Sequence, residues 1–94
     1  MNKSDLINRI SEKAGLSKRS AEQFVNLMVD AMIGAMIQEE RIEIRGFGSF
    51  VIRHYGEYEG RNPKSGEKIK ISDKRLPFFK AGKDLLQRIN PAEN

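Results

Sequence analysis

Cysteine is absent from this 94-residue chain, and histidine occurs once, at His54. Without cysteine there are no disulfides and no thiolate metal sites, and the composition is compatible with a reducing compartment. A single histidine also removes most nucleophile–base pairs and most zinc sites. The acidic residues are scattered, with no pair spaced for acid–base chemistry. We therefore expect a protein that is not an enzyme and that uses no metal, no cofactor and no small-molecule substrate.

Long apolar runs are also missing. No stretch reaches the roughly 20 apolar residues that are needed to cross a bilayer. The first twenty residues alternate charged and apolar positions and contain no apolar region of the kind that signal peptides have. The sequence predicts a soluble, cytoplasmic protein with no membrane partner.

The charge of the chain is unevenly distributed. The formal net charge is +4, but residues 1–40 hold five Lys/Arg against six Asp/Glu, whereas residues 41–83 hold eleven against five. Positive charge concentrated in one part of a chain is typical of a surface that binds a polyanion. We therefore expect such a ligand to bind the second half.

Two helices are predicted in the first forty residues. Asn2 is a plausible N-cap, with Asp5 completing a capping box, and Gly15 ends the first helix. Ser17 caps a second helix over about 18–38, which is apolar around most of its circumference. A helix of this kind must be covered on several sides, and so short a chain offers little to cover it. The pattern therefore predicts a dimer.

The period of the apolar residues then changes to two. Arg41–Arg45 alternates strictly, which predicts a strand with its isoleucines on one face and its charges on the other. Phe47 and Phe50 differ in parity, so either both faces of the sheet are covered or Gly48 lies at a bulge. Gly46 and Gly48 also allow this turn to approach another backbone closely.

The heptapeptide Gly60–Gly66 has the composition of a tight reversal. Asn62 opens the turn with its side chain, Pro63 presets φ for the second turn position, and the flanking glycines permit the reversal. β-prone residues precede it at 50–55, and Lys68–Ile71 follows with a period of two. These features predict a long β-hairpin arm with an exposed proline between two cations. Such a wedge suits a DNA minor groove; from this heptapeptide alone, an ordinary surface hairpin remains the alternative.

After the arm the chain is expected to return as a strand, Lys74–Lys80. Pro77 cannot donate to a ladder and marks this strand as an edge or as the end of regular pairing. Gly82 then leads into a short last helix that ends at Asn90.

The order of these parts resembles the HU/integration host factor family of bacterial DNA-bending proteins, essentially from end to end. Three segments carry the resemblance: Arg45–Phe50, Gly60–Gly66 and Pro77–Leu85. It implies an α+β fold with a helical base, a three-stranded antiparallel saddle and a long β-hairpin arm, assembled as an intertwined dimer.

The resemblance also implies that residues 1–94 form a single domain with three parts. Residues 1–40 would form the helical half that makes the dimer, and residues 41–80 the β saddle, with the arm at about 53–74. Residues 81–90 would form the C-terminal helix.

By the same resemblance, the partner is double-stranded DNA, bound in the minor groove and kinked by intercalation of Pro63, the mode for which HU and integration host factor are standard examples. The arm residues expected at the groove are Arg53, Arg61, Asn62, Lys64, Lys68 and Lys70. The residues expected at phosphates on the flanks are Lys3, Arg45, Gly46, Ser49, Arg75, Lys80 and Lys83. The dimer core would contain Phe47, Phe50 and Phe79. A homodimer associated with the nucleoid is expected, with a heterodimer with a related chain as the alternative.

The two branches of the family differ in how they select DNA. HU-like members mostly ignore sequence, whereas integration host factor reads a preferred site largely through DNA deformability. We expect HU-like binding with weak sequence preference. The alternative is a beta-type subunit of integration host factor, toward which the segment Arg41–Arg45 leans; Glu43 and Arg45 would then contribute to site choice.

The arm departs from the family pattern before its tip. Members of the family are typically rich in Arg there, whereas this chain reads Tyr55-Gly56-Glu57-Tyr58-Glu59. Carboxylates near a phosphate backbone oppose binding and lower the number of counterions released. We therefore expect weaker binding to plain duplex and a preference for DNA that is already bent or nicked.

Two other functions stay open at the level of sequence. An RNA-binding module would stack bases on aromatic residues of an exposed sheet, whereas the phenylalanines here are expected in the core. A protein–protein adaptor could use the arm for strand addition. Its affinity would change little with salt, whereas DNA binding weakens steeply as salt rises.

Overall fold

The computed structural model describes residues 1–56, 58–61, 64–71 and 74–91, with the backbone alone at 58–61 and 68–71. The helices are α1 (Lys3–Ala14), α2 (Lys18–Ile37) and α3 (Lys83–Ile89). The strands are β1 (Ile42–Ile44), β2 (Gly48–Tyr55), β3 (Tyr58–Arg61), β4 (Lys68–Ile71) and β5 (Lys74–Ala81). The chain divides into two units, Met1–Ala35 and Met36–Asn94.

Local side-chain caps set the bounds of α1. The Oδ1 atom of Asn2 accepts a hydrogen bond from the backbone N–H of Asp5 at 2.8 Å, and the Asp5 carboxylate accepts one from the N–H of Asn2 at 3.1 Å. Gly15 ends the helix with φ at 65°, a left-handed conformation that glycine adopts without strain. The predicted capping box and the predicted stop are both confirmed.

Helix α2 leaves much of its apolar surface uncovered in a single chain. It starts as predicted, since the Oγ atom of Ser17 accepts a hydrogen bond from the N–H of Ser20 at 3.1 Å. Ala21 and Val25, one turn apart, are fully buried. Leu27 is 71% exposed and Ile37 is 57% exposed. Leucine and isoleucine side chains in the core of a folded protein are usually buried almost completely.

Three strands form an antiparallel sheet in the order β1-β2-β5. Ile42 pairs with Phe50 across β1 and β2, and Phe50 pairs with Phe79 across β2 and β5. Strand β5 lies at the edge of this sheet, with Pro77 opposite Ile52, as the missing N–H of proline predicted. The predicted α+β class with a three-stranded antiparallel sheet is confirmed.

Of the two alternatives for the Gly-Phe-Gly turn, the bulge at Gly48 was wrong, and the parity argument behind both does not apply. Phe47 lies in the turn between β1 and β2 and not in a strand, so its parity relative to Phe50 says nothing about sheet faces. Gly48 is the first residue of β2 and pairs regularly with Ile44 on one side and Ala81 on the other. There is therefore no bulge at Gly48.

One face of the sheet carries an aromatic cluster. The ring centroid of Phe79 lies 4.8 Å from that of Phe50 and 5.2 Å from that of Phe47, which reaches the cluster from the turn. Tilted rings at such separations are a favourable arrangement. Because side chains alternate along strands, residues next to Phe50 and Phe79 point to the opposite face.

Strands β3 and β4 pair antiparallel from Tyr58 with Ile71 to Arg61 with Lys68. The chain thus reverses between Arg61 and Lys68, where the sequence predicted the tip of a hairpin arm. Asn62 and Pro63 lie outside the described residues.

Candidate nucleic-acid interface

A row of three polar residues crosses the sheet on the face opposite the aromatic cluster. Glu43 pairs with Ser49 across β1 and β2, and Ser49 pairs with Lys80 across β2 and β5. Ser49 is buried, whereas Glu43 and Lys80 are exposed on either side of it. The row therefore presents an ammonium group and a carboxylate to solvent over a buried hydroxyl.

An open concavity of about 350 Å³ is centred on this row. Its lining residues come from β1 and the residue before it, the turn, the start of β2 and the junction of β5 with α3: Arg41, Glu43, Ile44, Arg45, Gly46, Gly48, Ser49, Lys80, Ala81, Gly82 and Lys83. Four of them are cationic and one is acidic. Cations lining a concave surface concentrate positive potential, which attracts anions.

Among the four cations of the concavity, Arg41 has side-chain contacts with Ser49 and Glu43. Its Nη2 atom donates a long hydrogen bond of 3.4 Å to the Oγ atom of Ser49. Its Nε atom lies 3.9 Å from the carboxylate of Glu43, and the two side chains are 59% and 72% exposed. An ion pair so exposed stabilises little, so Arg41 remains free to meet an incoming anion.

The close approach of the turn to β5 sets the spacing of these cations. The N–H of Gly82 donates to the carbonyl oxygen of Phe47 at 2.8 Å. Gly46 has φ at 85°, in the left-handed region that favours glycine. The predicted close backbone approach is thus confirmed, and it brings Arg45 in the turn and Lys83 at the start of α3 to the rim of one concavity.

Arg53 lies on the same face of β2, four residues further along the strand than Ser49. Its guanidinium carbon lies 3.5 Å from the ring centroid of Phe78, a cation–π contact. Arg53 was predicted from the sequence to contact the DNA groove, whereas Phe78 was not predicted, because their contact depends on the register of β2 against β5.

The structure does not bring Arg75 to this face. Arg75 pairs with His54 on the face of the aromatic cluster. Its Nη1 atom donates to the carbonyl oxygen of Ile37 at 3.3 Å and lies 3.8 Å from the Glu39 carboxylate. The His54 ring hydrogen-bonds the same carboxylate, and Glu39 itself has φ at 60°. Arg75 thus joins β5 to the chain that follows α2; its predicted contact with phosphate stays a prediction.

Lys3, the remaining predicted phosphate contact, belongs to the first unit. It lines an open groove of about 530 Å³ together with Lys18, which the sequence reasoning did not name. The other lining residues are Ser4, Ile7, Asn8 and Glu22.

Of the predicted groove residues of the arm, Arg53 and Lys64 are described with their side chains. Asn62 and Pro63 lie outside the described residues. Arg61, Lys68 and Lys70 are described by their backbone in β3 and β4. Lys64 is exposed in the turn that follows Pro63.

Within the described ranges, no helix has the length and apolar character needed to cross a membrane. No group of three or more acidic or histidine side chains is placed to hold a metal ion in the same part of the chain.

The sequence model of one family, described as bacterial DNA-binding protein, matches residues 1–90. The chain belongs to that family. The predicted resemblance to the HU/integration host factor family is therefore confirmed, and with it the architectural role in binding DNA that this family has.

Two beta subunits of integration host factor are similar to the chain along nearly its whole length. The integration host factor subunit beta of Dechloromonas aromatica is 45% identical over 93 residues, which cover 98% of this chain and 99% of the relative. The same subunit of Nitrosospira multiformis is 45% identical over 91 residues, covering 96% and 97%.

Solved structures of HU share the fold. Anabaena HU, in a cocrystal with DNA, superposes with a TM-score of 0.86 at 36% identity, covering 97% of this chain and 99% of that one. HU from Thermotoga maritima gives a TM-score of 0.68 at 27% identity, covering 95% and 98%.

Proposed function

We propose that this chain forms a dimer that binds duplex DNA in the minor groove and bends it, without catalysis. The observation that carries the proposal is the gathering of Arg41, Arg45, Lys80 and Lys83 around one concavity of the sheet, opposite the aromatic face. In a family of DNA-binding proteins, such a surface is suited to the phosphate backbone.

The concavity supplies contacts that position the protein on the duplex. Lys80, Lys83 and Arg45 would bind phosphates, together with Ser49 and the backbone at Gly46; Lys3 would bind a further phosphate from the first unit. Each phosphate neutralised by a cation releases close to one counterion, so affinity falls steeply with salt. Contacts of this kind fix register and orientation and carry no sequence information.

The arm supplies the bend. Arg61, Lys64, Lys68 and Lys70 would follow the minor groove, with Arg53 at the root of the arm and Asn62 beside the tip. Pro63 would wedge between base pairs and unstack them, as apolar side chains of HU and integration host factor do.

A second copy of the chain would cover the apolar surface that one copy leaves open. Phe47 is 43% exposed and Phe79 38% exposed, although both belong to the aromatic cluster. Several large apolar side chains of α2 are exposed as well. We propose that residues 1–40 form the dimerising half and that Phe47, Phe50 and Phe79 join its core, in a homodimer associated with the cytoplasmic nucleoid.

Weak sequence preference, as in HU, follows if phosphate contacts and the wedge dominate. The second candidate is a beta-type subunit of integration host factor with a preferred site, in a heterodimer. The 45% identity to two beta subunits favours it. So does Glu43, a carboxylate among cations that would penalise some DNA geometries more than others. Competition between one bendable site and random duplex separates the two.

The first experiment is energy transfer between dyes at the ends of a duplex of about 35 base pairs, long enough for a bend of this class, titrated with this chain alone. A rise in transfer at saturation means that the homodimer bends DNA. Binding without a rise in energy transfer means that the β saddle binds the duplex but the arms do not wrap around it. Absence of binding means that a second subunit is required or that the ligand is different; repeating the titration with single-stranded RNA identifies the second case.

A further inference from the structure

Arg53 and Phe78 are diagonal neighbours on the face of the sheet that carries the cationic concavity. Phe78 pairs with Val51, and Arg53 pairs with Leu76, so the two side chains lie two register positions apart on adjacent strands. The guanidinium carbon is 3.5 Å from the centre of the ring, which is van der Waals contact over the aromatic face. Arg53 is exposed, and Phe78 is 36% exposed.

The contact differs from those of the other arginines that have partners in the structure. Arg41, Arg75 and Arg88 each direct N–H groups at oxygen atoms of hydroxyl, carbonyl or carboxylate groups. In the part of the chain that is described, the Phe78 ring is the one partner of the Arg53 guanidinium. A ring under the guanidinium plane restrains it without using any of the five N–H donors, which lie in that plane.

We propose that Phe78 is a positioning residue that holds Arg53 ready to donate into the minor groove at the root of each arm. The proposal rests on the proposed function, since it assigns a task to Arg53 in DNA binding. Groove acceptors approach a guanidinium in its plane, whereas the ring occupies the space below the plane. The stack and the DNA contacts are therefore compatible, and restraint in the free protein reduces the entropy lost on binding.

Because the stack and the DNA contacts are compatible, removal of the Phe78 ring should lower the affinity for DNA. A carboxylate partner would have to be displaced by DNA, so removing it would tighten binding. The Phe78 ring is retained in the complex, so removing it weakens binding. The cation count is unchanged by the loss of the ring, so the dependence on salt concentration should not change.

A double-mutant cycle tests the proposal, with affinity for the dye-labelled duplex of the energy-transfer experiment as the readout. We expect Phe78→Leu to weaken binding about two- to thirty-fold, from the range of an exposed cation–π contact to that of a desolvated one. Phe78→Tyr, which keeps the aromatic face, should stay close to the original protein. In an Arg53→Met background, Phe78→Leu should have little further effect, because the side chain that the ring positions has been removed.

The salt dependence gives a second, independent readout. Arg53→Met should lower the slope of log affinity against log salt by about one unit per arm, whereas Phe78→Leu should leave it unchanged. Leu76→Ala is the matched control, since Leu76 is an exposed apolar residue of the same face and strand. It should leave affinity nearly unchanged.

Two results overturn the proposal: an equal loss on Phe78→Leu in both backgrounds, and no loss in the original protein. If Phe78→Leu does not fold by circular dichroism, Arg53→Lys decides, because it keeps the charge and loses the planar stack. It should weaken binding about three-fold with an unchanged slope, and unchanged affinity would overturn the proposal. Failure of the unmodified protein to bind any duplex would instead overturn the proposed function, and this proposal with it.

Discussion

A Cβ atom placed on Gly48 would lie 2.4 Å from the carbonyl oxygen of Lys80, which is closer than any real contact of this kind. The same atom would lie 2.7 Å from the ring of Phe79. Gly48 thus allows the first residue of β2 to lie directly against β5, with the Phe79 ring folded over it. The spacing between the turn and Lys80 depends on this glycine.

Gly48→Ala should therefore destabilise the fold. We expect a loss of about 1–3 kcal/mol in the free energy of unfolding, the range of overpacked sites. Urea denaturation at a fixed protein concentration measures it, because the stability of a dimer depends on concentration. Gly34→Ala is the control: an added Cβ there meets nothing within 4 Å. It should raise stability by about 0.5–1 kcal/mol, since alanine favours a helix more than glycine does.

Glu39 combines a stabilising side chain with an unfavourable backbone. Its carboxylate is the partner of both His54 and Arg75, while its φ of 60° is one that L-residues adopt at a penalty. Glu39→Ala should lower the free energy of unfolding by about 1 kcal/mol, through loss of the hydrogen bonds. Glu39→Gly loses the same bonds but gains a permissive backbone, so it should be the more stable of the two variants. Thermal melts of both proteins check this order; a glycine variant below the alanine variant would contradict it.

Lys83 lies on the rim of the cationic concavity and should act through its charge. Lys83→Ala should weaken binding to all duplex sequences about equally and lower the salt slope by about one unit per affected phosphate contact. Titrations of several duplexes at several salt concentrations measure both effects. Lys13→Ala removes a lysine from the last turn of α1 and serves as the control; its salt slope should not change. A loss at Lys83 that depends on sequence would point to base readout instead.

Pro63 is expected to contribute more to the bending of the duplex than to the affinity for it. Pro63→Ala should lower energy transfer at saturation while reducing affinity less, because the phosphate contacts of the sheet persist. Pro77→Ala, at the edge of the sheet, is a matched proline substitution and should leave the bend unchanged. An undiminished bend in Pro63→Ala would remove the wedge from the mechanism.

The acidic residues before the arm tip are expected to limit binding to straight DNA. Replacing Glu57 and Glu59 by arginine should tighten binding to linear duplex, since two repulsive charges become two that release counterions. Affinity for a nicked or pre-bent duplex should rise less, so the ratio of the two affinities is the quantity to measure. An unchanged affinity for linear duplex would show that the carboxylates point away from the phosphates.

The ends of the helices could be predicted from sequence because short-range interactions determine them. Asn2, Asp5 and Gly15 act within four residues of the backbone groups that they satisfy, so the residues alone specify the start and end of α1. Pro77 likewise indicates an edge strand, because proline has no N–H to donate to a neighbouring strand. This property does not depend on the rest of the chain. The concentration of positive charge after residue 41 is also a property of the sequence itself.

Register across the sheet had to come from the tertiary structure. Phe47 lies in the turn and not in a strand, which parity of the residues could not reveal, and Gly48 pairs without a bulge. Arg53 and Phe78 are 25 positions apart and meet because β2 and β5 pair with one particular offset; Arg75 meets the carbonyl of Ile37 across 38 positions. Local propensity and periodicity specify which face a residue shares with its neighbours in its own strand. They carry no information on which residue of another strand lies beside it, because a shift in register keeps the local pattern and changes every cross-strand contact.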